Sequence, residues 1–104
     1  MTEAQFQQQV IDLAHIYGWA VAHFRPAWSR DGKRCMTAVQ ADGSGWPDLT
    51  LVKGKRLIFA EVKSDKGHLS PEQYEWLERL KQTGNEVYLW MPENWDNIQE
   101  LLTR

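Results

Sequence analysis

The run "DLTLVKGKRLIFAEVK", Asp48 to Lys63, constrains this chain more than any other. It joins two apolar, β-prone segments through Gly54-Lys55, and a glycine leading a two-residue loop is what a type II′ hairpin turn requires. So short a turn fixes the register of the two strands. Lys53 then faces Arg56, Val52 faces Leu57, Thr50 faces Phe59 and Asp48 faces Glu61. Opposed side chains on one face of an antiparallel pair have Cβ atoms about 4.5–5.5 Å apart, so two carboxylates are expected side by side. Alternation along the strand puts Lys63 on the face of Glu61 and turns Val62 to the other.

Two acids at that separation repel each other unless they share a partner. The spacing suits one divalent cation, Mg²⁺ or Mn²⁺, and the adjacent lysine suits charge that builds on a phosphate oxygen. That is the chemistry of metal-dependent phosphodiester hydrolysis, which needs no covalent nucleophile. The plain alternative is a surface hairpin in which Asp48 opens a strand and Glu61 and Lys63 form a weak exposed ion pair.

The rest of the chain surrounds this hairpin with helices. Phe6, Val10, Leu13 and Tyr17 recur at helical spacing, with Thr2 as N-cap and Gly18 as stop. "WAVAHF" (residues 19–24) reads as a strand, and Pro26 with "SRDGKR" marks a turn or loop. "CMTAVQADGSG" adds at most a short strand before a flexible, glycine-rich approach to Pro47. "SPEQYEWLERLKQTG" carries Ser70 at an N-cap, Pro71 at the first helical position and Gly84 past the end. "NEVYLWM" follows as a strand, and Trp95, Ile98 and Leu102 predict a terminal helix. The expected order is α-β-β-β-α-β with a C-terminal helix, an optional short strand preceding the hairpin: an α/β fold in one domain spanning residues 1–104.

Composition narrows the function. A net charge of −2 excludes a protein that coats nucleic acid by charge alone, so any contact with DNA is local or metal-assisted. A lone cysteine, Cys35, forms no intrachain disulfide, and no Cys/His cluster has zinc-site spacing. Neither a signal peptide nor a membrane-spanning run is evident, so a cytoplasmic protein without membrane contact is expected.

Pro47-Asp48 followed after twelve residues by Glu61-Val62-Lys63 resembles the signature of the PD-(D/E)XK nuclease superfamily. More narrowly, "GWPDLTLV", "LIFAEVKSDKGHLSPEQYEWLERL" and "VYLWMPENWDNI" resemble the small stand-alone VRR-NUC domain nucleases of phages and bacteria. The resemblance implies a restriction-endonuclease-like core, a mixed sheet flanked by helices. It implies Asp48 and Glu61 as metal ligands, the Val62 carbonyl as a further ligand, Lys63 as catalytic and Gln73 in the active-site surround. Gln73 also completes a capping box with Ser70, S-x-x-Q, and the two roles are compatible. Many relatives bring another carboxylate from the first helix. Glu3 is the candidate, with Gln7 standing where some relatives place their acid; alternatively, Glu3 only favours the helix N-terminus by its charge. The stand-alone relatives are similar to Holliday-junction resolvases, which implies a homodimer acting on branched DNA.

Lys53, Lys55, Lys66 and His68, with Arg25, Arg30, Lys33 and Arg34 in the long loop, are candidates for phosphate contacts near the acids. Trp46, held extended by Pro47, is read either as a surface that stacks on a base or as hairpin packing. The competing functional class is a non-catalytic DNA-binding or protein-interaction module that keeps the nuclease fold, which predicts binding without metal-dependent cleavage. A sequence-specific restriction-type enzyme would need recognition elements for which 104 residues leave little room.

Overall fold

The computed structural model describes residues 1–24, 27–28, 35–36 and 41–104. Arg25, Arg30, Lys33 and Arg34 lie outside the described residues. Helix α1 (Glu3–Ile16) leads into β1 (Ala20–His23) and a two-residue hairpin pair, β2 (Ala27–Trp28) and β3 (Cys35–Met36). Strands β4 (Leu49–Lys53) and β5 (Arg56–Val62) follow, then α2 (Pro71–Lys81), β6 (Glu86–Trp90), a 3-10 turn over Pro92–Asn94 and α3 (Trp95–Thr103). The expected order holds, and β2 is an addition that the sequence reading did not anticipate.

The main sheet runs β1-β4-β5-β6, with β5 and β6 parallel and the other pairs antiparallel. It is the mixed sheet flanked by helices of a restriction-endonuclease-like fold. The β4–β5 ladder pairs Lys53 with Arg56, Val52 with Leu57, Thr50 with Phe59 and Leu49 with Ala60, the register the two-residue turn dictates. Gly54 has φ +58° and Lys55 a negative φ, so only the first loop position needs the left-handed region. Asp48 sits one residue before β4.

Alternation divides the sheet into two faces. Leu49, Leu51, Ile58, Ala60, Val62 and Trp90 are buried on one face with Phe6, Val10 and Ala14 of α1 and Ile98, Leu101 and Leu102 of α3. Thr50, Phe59 and Glu61 point to the other face, which α2 covers as it crosses from β5 to β6. Both sides of the C-terminal half of β5 are therefore covered, and its last five residues, Ile58 to Val62, are all buried. Capping boxes close the starts of α1, through Thr2 and Gln5, and of α2, through Ser70 and Gln73.

Candidate active site

Glu61 is the one buried charged side chain among the described residues, 1% exposed. Burial of a carboxylate is unfavourable unless its oxygens are engaged. Oε1 accepts from Gln73 Nε2 at 3.2 Å and lies 4.0 Å from the Lys63 ammonium. Oε2 is buried and has no hydrogen-bond partner among the described residues. The Glu61 carboxyl is pushed up to about 9, first by burial, then by the Asp48 carboxyl beside it, which favours a shared proton and repels a second negative charge. Lys63 acts in the opposite direction, and Glu3 adds a smaller upward push.

Asp48 is held by the strand it faces: its Oδ2 accepts from the Val62 backbone N–H at 2.9 Å. The bond fills the ladder position just beyond Leu49 and Ala60, so the carboxylate continues the hairpin at its open end. Lys63 extends β5 by donating its own N–H to the Trp90 carbonyl at 3.0 Å. Its side chain is only 15% exposed. Gly67 presses against it, since a Cβ there would stand 3.1 Å from both Cβ and Cδ of Lys63.

Gln73 closes the expected capping box and also reaches Glu61. Its Oε1 accepts from the Ser70 N–H at 2.9 Å to close the capping box, while its Nε2 reaches Glu61. The helix cap thus orients an amide onto the acid.

A second glycine holds the loop that carries Asp48. Gly45 has φ +86°, and a Cβ there would lie 2.6 Å from the Glu72 carbonyl carbon and 2.8 Å from the Gln73 nitrogen. The loop therefore lies directly on the first turn of α2, the turn that delivers Gln73. This approach to Pro47 was expected to be flexible; instead the Trp46 N–H donates to the Gly43 carbonyl and Pro47 is buried. The packing of Gly45 and Gly67 was not foreseen, and the only trace of it in the sequence is glycine next to "WPD" and glycine shortly after "EVK".

Other candidates fall outside this cluster. Lys53 and Lys55 lie at the turn, five strand residues or more from the acids; at about 3.4 Å per residue that is about 17 Å from the carboxylates. The Lys53 stem instead passes Gly18. Lys66 and His68 are exposed in the loop next to Lys63. Glu3 is exposed in the first turn of α1, near enough for its charge to reach Glu61. Among the described residues no group of three or more His, Cys, Asp or Glu side chains is gathered as a metal cluster. What the site offers is two adjacent carboxyl groups, with no donor among the described residues at Glu61 Oε2. That all-oxygen set fits a hard cation such as Mg²⁺ or Mn²⁺, which commonly takes one or two protein carboxylates and completes its shell with water and phosphate.

No helix among the described residues is long and apolar enough to cross a membrane. Residues 4–91 match the family model of the VRR-NUC domain. No curated protein and no solved structure matches.

Proposed function

The chain belongs to the VRR-NUC domain family, nucleases of the PD-(D/E)XK superfamily, and on that premise we propose that it is a metal-dependent, structure-selective DNA endonuclease, resembling Holliday-junction resolvases and acting as a homodimer. The observation that carries the reading is the buried Glu61 carboxyl beside Asp48, with no donor group among the described residues at Oε2 and Lys63 at hand. A purely structural hairpin gains nothing from that arrangement, because a buried acid without full hydrogen bonding destabilises the fold.

Asp48, Glu61 and the Val62 carbonyl would hold Mg²⁺ or Mn²⁺. When bound, the cation lowers the pKa of a water and neutralises phosphate charge. Gln73 fixes the orientation of Glu61 through Oε1 and leaves Oε2 for a ligand. The Val62 N–H orients Asp48. Lys63, its stem confined by Gly67, presents an ammonium to the oxygens on which negative charge develops. Lys66 and His68, exposed in the loop next to Lys63, would contact phosphates flanking the cut bond.

The test is cleavage of labelled four-way junction, flap, single-stranded and duplex DNA with Mg²⁺, Mn²⁺ or EDTA. Cutting of branched DNA that needs the metal and is lost in Lys63→Ala and Asp48→Ala is the expected result. Binding without cleavage under every condition would reject the enzyme in favour of a non-catalytic module.

A further inference from the structure

The chemistry above leaves a strip of aromatic surface beside Asp48 without a task. Trp46 is two residues from Asp48, and its backbone is fixed on both sides by the Gly45 contact with α2 and by buried Pro47. Its indole packs edge-to-face on Phe59 at 5.5 Å and on Trp76 at 5.0 Å, yet it stays 36% exposed. Trp76 is anchored by Nε1, which donates to the Asp42 carbonyl at 2.9 Å, and the Arg79 guanidinium lies 5.6 Å over its ring. Next to it, Asp42, Ser44, Glu72, Glu75, Trp76 and Arg79 line a pocket of about 480 Å³.

The charge on this flank limits what it can receive. Three carboxylates stand against one guanidinium, which is already stacked on an indole, so a phosphate here is repelled. A nucleobase is not: an indole offers a stacking face to any base, and carboxylates accept hydrogen bonds from exocyclic amino groups. In a paired duplex the faces of the bases are hidden within the stack, so a base that reaches this strip is unpaired.

We propose that Trp46, backed by Trp76, forms a base-stacking subsite for an unpaired nucleotide next to the bond that is cut. The DNA acted on then carries unpaired residues beside the scissile phosphate, as at a branch point or flap. The inference rests on the nuclease reading for the position of that phosphate, but stacking is measurable without cleavage.

The experiment uses Lys63→Ala protein, to prevent cutting, and oligonucleotides with 2-aminopurine at an unpaired or a paired position. Stacking is expected to quench the unpaired probe. In the Lys63→Ala background, Trp46→Leu is expected to remove the quenching and weaken binding of the DNA with the unpaired nucleotide about tenfold, with a markedly smaller change for the duplex. Trp46→Phe, which keeps an aromatic ring against Phe59 and Trp76, is expected to give a smaller loss and to report on stacking if the leucine variant fails to fold. No quenching with Trp46 in place, or equal weakening for both DNAs, overturns the proposal. Quenching together with no cleavage of any DNA by the unsubstituted protein would support the subsite and reject the nuclease reading, so the two failures are distinguishable.

Discussion

The two ends of β5 carry charge in opposite ways. At its start, every guanidinium nitrogen of Arg56 is engaged. Nε and Nη2 donate to the two oxygens of Glu86 at 2.9 and 2.7 Å, and Nη1 donates to the carbonyls of Leu101 and Arg104 at 3.1 Å each. The guanidinium also lies 4.9 Å over the Trp19 ring, and Tyr88 donates to Glu86. At its finish, Glu61 is buried with no donor group among the described residues at Oε2 and a second acid beside it. The first end joins β6 and the last turn of α3 to the sheet. The second is left under-compensated, as expected where an external ligand completes the group.

The difference should separate activity from stability. Lys63→Met keeps an unbranched stem against Gly67 while removing the ammonium, and cleavage is expected to fall by about 10³ or more with little change in Tm. A large loss of Tm instead would make Lys63 a structural residue. Arg56→Met is the converse. Leaving Glu86 and two helix-end carbonyls without their donor is expected to cost about 3 kcal/mol, a fall in Tm of more than about 10 °C, with cleavage by the folded protein largely kept. Thermal denaturation beside low-temperature cleavage rates checks both.

Gly45→Ala should affect both quantities, because the added methyl meets the backbone of Glu72 and Gln73 in a left-handed conformation. A loss of about 2 kcal/mol is expected, with cleavage reduced more than tenfold as Asp48 and Gln73 shift apart. Unchanged cleavage would show that the loop does not position the acid.

The ends differ also in pH dependence, with opposite signs. Arg56's hydrogen bond holds the Glu86 carboxyl below its ordinary range, so stability from that end is present above the ordinary glutamate value and lost as pH falls through the lowered one. Glu61 is raised to about 9, so in EDTA the folded chain keeps a proton that the unfolded chain releases; stability is fully present below about 4.5 and declines as pH rises toward about 9. Denaturation scans across that range, repeated with Glu86→Gln and Glu61→Gln, should each lose one limb of the profile.

How much of this was legible follows from which constraints are local. The two-residue turn at Gly54-Lys55 fixes register, and register places Asp48, Glu61 and Lys63 together. Ser70 and Gln73 announce a helix cap, and a capped glutamine still has an amide nitrogen to offer. Lys53 and Lys55 lie at the turn end of the same hairpin, about 17 Å along the strand from the acids, so any phosphate they meet is away from the cut bond. Arg56 depends on Glu86, thirty residues away on a parallel neighbour whose register no turn sets. Gly45 and Gly67 matter only because of what their absent side chains leave room for. Strand β2, two residues long, is too short for any periodicity to register.

The central claim is that the finish of β5 is built to be completed by a cation. The most direct measurement is the Tm at pH 8 over a titration of Mn²⁺, for the unsubstituted protein and for Glu61→Gln. A ligand that binds only the folded state raises Tm progressively as its concentration exceeds Kd, so the account predicts a rise for the unsubstituted protein and little or none for Glu61→Gln, whose Tm in EDTA starts higher because its folded state no longer has to hold a proton that the unfolded chain releases. Equal shifts in both proteins, or none in either, would contradict it.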